Sequence, residues 1–452
     1  MVCTAIIGMG ITGYSCLRYL AGVDKLVVVD TRSNPPNGAL AQNNFPGVDY
    51  RFGRSRYDFA GIDRVIVSPG IDMDNCLLAA AHTLRLEFLS DIDLFCRVAT
   101  APIIAITGTN GKSTVTSLVG HILETAGRRT AIGGNLGEAA LDLLDEETEC
   151  YVLELSSFQL ERMTSFGFRS ATVLNITEDH LDRHGSIESY VASKQRIYTG
   201  CEVAVANRAD VMTLPEHPAG QLVTFGLDAP ERGAWGVVSR GTRRLLARGT
   251  ARGAADEFAS EVEDVVAVDE LAVSGLHNEL NVLAAFALLD AEDIPVSTLA
   301  EGARSFRGLP HRCELVCECG GIGYVNDSKA TNVGATVAAL EGLGAETRKR
   351  LVLIAGGEGK GADFSLLKPA VERYVKTVVL LGKDAAELQR ALQGIVETIR
   401  VADMEEAVAA AQGSAETGDL VLLSPACASL DMYQNFMERG THFSRLVGEL
   451  SS

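Results

Sequence analysis

Lys112 is the residue from which chemistry can first be argued. It stands in Thr107-Gly108-Thr109-Asn110-Gly111-Lys112-Ser113-Thr114, after an apolar run at 102–106 and before a helical pattern of Val115, Leu118, Val119, Ile122 and Leu123. Strand, glycine-containing loop and helix in that order make a P-loop. Gly108, Thr109, Asn110 and Gly111 can turn backbone N–H groups toward a polyphosphate, and the helix N-terminus adds donors and partial positive charge. Lys112 would neutralise the β- and γ-phosphates, a hydroxyl of Ser113 or Thr114 would hold Mg2+, and ATP is the expected nucleotide. The full G-x-x-x-x-G-K-[ST] pattern asks for glycine at 106, where Ile106 stands, but strand and helix flank the loop correctly.

Three further places carry ionisable groups. Glu154 lies near the end of the apolar strand 151–155, from which a carboxylate reaches a metal held over a P-loop; a structural ion pair is the plainer alternative. Asn175-Ile176-Thr177-Glu178-Asp179-His180-Leu181-Asp182-Arg183-His184 follows another apolar strand, with His180 expected to face inward and a second metal to follow. Such a cluster taken alone is usually surface. Lys194 falls four residues after Tyr190 and seven after Ile187, on the apolar face of its helix. A desolvated lysine has a lowered pKa and a reactive neutral fraction, which CO2 could turn into a carbamate able to approach Mg2+; snorkelling to solvent is the alternative. At the N-terminus, Gly8-Met9-Gly10-Ile11-Thr12-Gly13 follows the first strand, and Asp30 closes the second. That spacing fits a nicotinamide cofactor, but no hydride-transfer centre follows; the broader reading is a diphosphate-bearing ligand such as a sugar nucleotide, with Asp30-Thr31-Arg32 at the ligand edge of the sheet.

The elements that must position these residues alternate. Short strands at 4–7, 26–29 and 65–67 are followed by a helix near 91–98, then strands at 103–106, 151–155 and 171–175 and a helix from about 278. A hairpin across Cys319-Gly320-Gly321 opens a third block with strands at 351–355, 377–381 and 420–423. Strands alternating with helices imply α/β architecture with parallel, doubly wound sheets. Residues 208–269, richer in Gly, Arg and Ala, read as a peripheral β-rich region. A chain of 452 residues exceeds one ordinary core. The 47% hydrophobic and 22% charged composition fits a packed soluble protein, and the net charge of −19 argues against a nucleic-acid partner. No apolar run of 18 residues and no charged leader occur, so neither a membrane span nor export is expected. The ten cysteines show no metal-site spacing and read as reduced thiols of a cytoplasmic protein.

Taken together, Gly108 to Thr114, Glu154-Leu155-Ser156-Ser157-Phe158-Gln159-Leu160, Asn175 to His180, Gly308-Leu309-Pro310-His311-Arg312, Asn326-Asp327-Ser328-Lys329-Ala330-Thr331-Asn332 and Gly356-Gly357-Glu358-Gly359-Lys360 resemble the Mur ligase family. Asp30-Thr31-Arg32 and Leu423-Ser424-Pro425-Ala426-Cys427-Ala428-Ser429-Leu430-Asp431 look like its D-glutamate-adding branch, and the Asp-Asn-Pro-Arg motif of the diamino-acid-adding branch is absent. The resemblance implies a Rossmann-like sugar-nucleotide domain (1–90), a central P-loop ATPase-type domain (91–308) and a Rossmann-like amino-acid domain (309–452). It implies a monomer acting on UDP-N-acetylmuramoyl-L-alanine and D-glutamate in peptidoglycan synthesis, with ATP and two Mg2+. Nucleotide contacts are implied at Asn278, Arg312 and Asp327 besides the P-loop, and metal contacts at Thr114, Glu154, His180 and carbamylated Lys194. Substrate contacts are implied at Gly13, Thr31, Arg32, Asn135, Ser156, Lys329, Thr331, Lys360, Ser429, Leu430 and Phe436. Lys112, His180 and Lys194 are the expected catalytic groups, and a hinge is expected near 308–312. The rivals are a nicotinamide oxidoreductase, which makes Lys112 dispensable; a folate-adding ligase, which should lack the N-terminal domain; and a non-catalytic nucleotide-binding regulator, which would not need the acidic, histidine and lysine set.

Overall fold

In the computed structural model, which describes residues 2–164, 167–216, 220–251, 260–273, 275–347 and 351–450, the apolar runs assemble into three sheets. The first contains β1 (Cys3–Ile7), β2 (Lys25–Asp30), β3 (Asp49–Phe52), β4 (Arg64–Val67) and β5 (Glu87–Leu89), all parallel in the order β3-β2-β1-β4-β5. Its central strands are apolar on both faces, as a sheet covered by crossover helices requires. The strand order reverses between β1 and β4, which opens a crevice beyond their C-terminal ends, and Gly8 sits there. Gly8 has φ +94°, and a Cβ on Gly13 would lie 1.8 Å from the Gly8 carbonyl oxygen. These two positions therefore need glycine to let helix Ile11–Leu20 start hard against the strand.

The second sheet is built from β6 (Ile103–Thr107), β7 (Thr130–Gly134), β8 (Cys150–Glu154), β9 (Ser170–Val173), β10 (Val203–Asn207), β11 (Gln221–Phe225), β12 (Trp235–Arg240), β13 (Arg243–Ala251) and β14 (Ser260–Ala267). Its order is β14-β13-β12-β11-β10-β9-β6-β8-β7. The β-rich stretch is thus no separate appendage but a continuation of this sheet. It also departs from the all-parallel expectation: β13 runs antiparallel to both β12 and β14, because Gly241-Thr242, which joins β12 to β13, is a hairpin turn too short for a parallel crossover. The third sheet joins β15 (Glu314–Cys319), β16 (Ile322–Asn326), β17 (Leu351–Gly356), β18 (Val375–Leu381), β19 (Glu397–Arg400) and β20 (Leu420–Leu423) in the order β15-β16-β20-β17-β18-β19. Only β15 is antiparallel, through the expected hairpin at Gly320-Gly321.

Each sheet buries apolar side chains on both faces, and the core under the first sheet runs on, through Phe95 and Tyr151, into the second. The link to the third sheet carries Gly308 at φ +79°, then His311 at +63° and Cys313 at +47°. Two non-glycine residues held left-handed within three positions mark a strained connection, at the place where the hinge was expected. The clash at Gly13 gives the first prediction. Gly13→Ala should destabilise the protein by about 3 kcal/mol or more, seen as a lowered melting temperature; an unchanged melting temperature would mean that the helix start is not packed as described.

Candidate active site

Strand β6 delivers the P-loop, and its pairing with β8 sets Ile106 opposite Glu154. Gly108 (φ +149°) and Gly111 (φ +82°) make the turn, and helix Lys112–Thr125 begins at the loop's end. The loop is fixed by the segment after β9. The Thr109 N–H donates to the Asn175 carbonyl (2.9 Å), the Asn110 N–H to Asn175 Oδ1 (2.8 Å), and Asn175 Nδ2 back to the Asn110 carbonyl (3.1 Å). A Cβ on Gly111 would lie 2.5 Å from Asn281 Oδ1, so helix Leu276–Leu288 closes the other side. Asn281 was not anticipated, although it stands one helical turn after Asn278 and donates to its Oδ1 at 3.1 Å.

Two lysines converge on this loop. Lys112 Nζ donates to the carbonyls of Gly108 (2.9 Å) and Thr109 (2.8 Å), and Lys194 Nζ donates to the same Gly108 carbonyl at 2.9 Å. Lys194 is 1% exposed, lies 4.6 Å from the Tyr190 ring centre, and also meets Thr107 Oγ1 at 3.3 Å. Burial above all, then repulsion from Lys112, pulls its pKa well below the ordinary lysine value. Its helix Ile187–Gln195 carries the lysine inward and not out to solvent, the outcome that periodicity alone would have favoured.

Glu154 is 3% exposed, and both of its oxygens have partners: Ser113 Oγ donates to Oε2 at 2.5 Å and Asn135 Nδ2 to Oε1 at 2.7 Å. The hydroxyl on Glu154 is thus that of Ser113, while Thr114 lines the cavity beside it. Arg312 Nη2, from the link to the third sheet, donates to Ser113 Oγ at 2.7 Å. Ser156 caps helix Ser157–Leu160 and faces the same space. His180 caps helix Leu181–His184 with φ +54°; its ring stands edge-on to Phe158 and 3.8 Å from Asp179 Oδ2. His184 stacks on the other side of Phe158 and meets Ser157 Oγ at 3.0 Å, a contact between distant segments. The side chain of Asp182 lies outside the described residues.

Thr109 to Thr114, Asn135, Glu154, Ser156, His180, Lys194, Asn278, Arg312, Asp327, Lys329 and Thr331 all line one cavity of about 560 Å3 between the second and third sheets. Gly108 joins them through its carbonyl, and Phe436 through its ring, over which Lys329 Nζ sits at 4.1 Å. Burial, with repulsion from Arg312 and Lys112, pulls Lys329 down to about 8. Asp327 is pushed up to about 7 by burial, against hydrogen bonds from Ser424 and the Cys313 N–H and the nearby Arg312 charge. Lys360, Ser429 and Leu430 are not in the lining, and Gly13, Thr31 and Arg32 lie apart at the crevice of the first sheet. There Asp30 receives the N–H groups of Met9 and Arg32, each at 2.8 Å, and the Arg32 guanidinium at 2.9 and 2.7 Å.

Comparison with known proteins follows this division. Residues 3–90 match the description Mur ligase MurD-like, N-terminal domain; residues 106–289 match Mur ligase middle domain; and residues 311–427 match Mur ligase, glutamate ligase domain. The chain belongs to the Mur ligase family. Its relatives include the UDP-N-acetylmuramoylalanine–D-glutamate ligases of Pseudomonas fluorescens (strain Pf-5), 44% identical, and Pseudomonas syringae pv. tomato, 45% identical, each over 99% of this chain and 98% of the relative. The ligase of that name from Legionella pneumophila (strain Paris) is 43% identical over 98% of both chains. Among solved structures, MurF from Acinetobacter baumannii superposes with a TM-score of 0.64 at 19% identity, covering 99% of this chain and 93% of that one. UDP-N-acetylmuramate-alanine ligase from Thermotoga maritima gives 0.58 at 19%, covering 99% and 100%; both confirm the three-domain α/β fold.

The Asp327 environment generates a pH prediction. Its folded pKa of about 7 lies above the ordinary aspartate value, so between about pH 4 and 7 the folded protein keeps a proton that the unfolded chain releases. Its contribution to stability therefore falls as pH rises through that window. Relative to wild type, Asp327→Asn should gain stability from pH 4.5 to 7.5, read as urea midpoints; parallel curves would refute the assignment.

Proposed function

We propose that the chain is the ATP-dependent ligase that joins the amine of D-glutamate to the L-alanine carboxylate of UDP-N-acetylmuramoyl-L-alanine in peptidoglycan synthesis. The observation that carries the reading is the meeting of the P-loop with Lys329, Thr331 and Arg312 in one cavity, which sets a phosphate cradle against a cationic loop suited to a dicarboxylate. Full-length identity of 43–45% to ligases of that name supports the same substrates. We assign the sugar nucleotide to residues 1–90, the nucleotide to 91–308 and the amino acid to 309–452. Its expected place is the cytoplasm, where ATP is available and thiols stay reduced; the ten cysteines form no disulfide with one another, and no described helix is long and apolar enough to cross a membrane. We assign a monomer, since one chain brings the three sets of contacts together.

In the first step a carboxylate oxygen attacks the γ-phosphorus, the bond to the β-phosphate bridge breaks, and an acyl phosphate and ADP result. Two anions must approach one another, so positive charge and positioning supply most of the rate. Lys112 faces the phosphates from the loop, and Arg312 reaches in from the third sheet. The hard oxygens of Glu154 and Ser113 or Thr114 suit Mg2+, which binds proteins through one or two carboxylates together with substrate phosphates. A second Mg2+ would be held by His180 with carbamylated Lys194, whose carbamate would add an anionic oxygen ligand. Mg2+ bound there would supply charge neutralisation. Burial and the neighbouring Lys112 charge favour a neutral Lys194 amine; its nitrogen would attack the carbon of CO2 and release a proton, forming the carbamate. In the second step the D-glutamate amine attacks the acyl carbon, its proton passes to His180, and phosphate leaves. Lys329, Thr331, Lys360, Ser429, the Leu430 backbone and Phe436 would hold the glutamate, and Gly13, Thr31, Arg32, Asn135 and Ser156 the sugar-peptide.

Phosphate release from ATP should require both UDP-N-acetylmuramoyl-L-alanine and D-glutamate, with L-glutamate inactive; release without the sugar nucleotide would sink the reading. Lys112→Ala should lower turnover on the order of 10^3-fold while sparing UDP-sugar binding. Lys194→Ala should lose activity that added bicarbonate does not restore; an active variant would remove the carbamate from the mechanism.

A further inference from the structure

Lys329 and Thr331 share the loop after β16 with Asn332, whose side chain is divided between two tasks. Its Oδ1 caps helix Val333–Thr347 by accepting the Ala335 N–H at 2.8 Å. Its Nδ2 crosses to the second sheet's loops, 3.4 Å from Asn110 Oδ1 and 3.4 Å from Asp179 Oδ2. Asn110 belongs to the P-loop, and its backbone N–H and carbonyl are both tied to Asn175, so its side chain is what faces the third sheet. Gly334 makes the approach possible. A Cβ there would lie 3.0 Å from Thr177 Oγ1 and 3.5 Å from Asn110 Nδ2, and the Thr177 N–H is bonded to Thr109 Oγ1 at 3.0 Å. The loop that carries the amino-acid contacts therefore touches the loop that carries the phosphate contacts directly.

A donor shared over 3.4 Å to two acceptors is individually weak. Its consequence lies in when it forms: only with both loops in place, so anything that orders one loop favours the other. We propose that Asn332 is a positioning residue that couples the two sites, making D-glutamate and the ATP phosphates bind cooperatively through Asn110 and Asp179. The inference rests on the assignment of Lys329 and Thr331 to D-glutamate and of the P-loop to ATP. Linkage makes the coupling reciprocal: each ligand tightens the other by the same factor.

The test is calorimetric titration of the full chain, saturated with UDP-N-acetylmuramoyl-L-alanine, by D-glutamate with and without a non-hydrolysable ATP analogue. In the wild type the analogue should tighten D-glutamate on the order of tenfold, and D-glutamate should tighten the analogue equally. Asn332→Asp keeps the capping oxygen but turns a carboxylate toward Asp179, and should reduce the factor to about twofold or less while analogue binding alone stays within about threefold. Asn332→Ser keeps a capping hydroxyl without the reach and adds no charge, so it should behave alike, with melting curves confirming that both variants fold. Gly334→Ala should weaken the coupling from the packing side. A factor retained in both Asn332 variants, or absent from the wild type, overturns the coupling alone; no D-glutamate binding under any condition overturns the coupling together with the site assignment.

Discussion

Two lysines donating to one carbonyl, Lys194 buried and Lys112 partly so, is the arrangement on which the rest of the site depends. Like charges at this separation, removed from water, repel strongly enough that one must lose its proton or acquire an anionic neighbour. The fold settles which. Glu154 and Asp179 favour the charge on both lysines and burial opposes it on both, but Lys194, 1% exposed against Tyr190 and repelled by Lys112, is pulled down the further. The same helix face that makes Lys194 part of a core is what lowers its pKa. Arg312 and Lys329 add further cationic groups to a space whose carboxylates, Glu154, Asp179 and Asp327, already have hydrogen-bond partners. Donors fixed in this way before a ligand arrives leave less reorganisation for a reaction.

The three sheets present their loops by the same geometric rule. Each main parallel sheet presents loops at the C-terminal ends of its strands: Gly8 to Gly13 after β1, the P-loop after β6, and the Asp327 to Asn332 loop after β16. Antiparallel pairing is confined to one end of the second sheet, where β13 lies between β12 and β14, and to one end of the third, where β15 pairs with β16. The connections are tied by side chains that cross between sheets: Arg312 to Ser113, Asn332 to Asn110, and Arg162, whose Nη1 donates to the Ser68 carbonyl at 2.7 Å. Ser68 Oγ in turn holds the Gly8 carbonyl at 3.2 Å, so the diphosphate loop and the strand-β8 loop are mechanically continuous.

Much of this was legible in the residues because it is local. The P-loop declares itself by spacing, Lys194 by its helical face, and the hairpin at Gly320-Gly321 by turn chemistry. What was not legible arises from contacts between distant segments. Asn332, His184 and Asn281 acquire meaning only when residues some 27 to 222 positions away fold against them. The choice between Ser113 and Thr114 depends on which hydroxyl the helix start turns toward Glu154, a matter of about 100° of rotation invisible to a motif. The antiparallel end of the second sheet escaped because its strands carry Arg and Glu on an exposed face, which blurs the alternation that marks a half-buried strand.

The first sheet shows how a familiar glycine pattern can serve a different ligand. In a nicotinamide-binding site the acidic residue at the end of the second strand must leave its oxygens available to ribose hydroxyls. Asp30 is 2% exposed, and each of its oxygens already receives two donors, from the Met9 and Arg32 backbone and the Arg32 side chain. Burial alone would raise its pKa, but these donors outweigh it and hold the carboxylate ionised. Its task is therefore to fix the loop and to aim Arg32, half exposed, along the crevice. A carboxylate spent on orienting a guanidinium has little capacity left for a ribose. What the crevice leaves open instead is the half-exposed Arg32 guanidinium beside the glycine loop after β1.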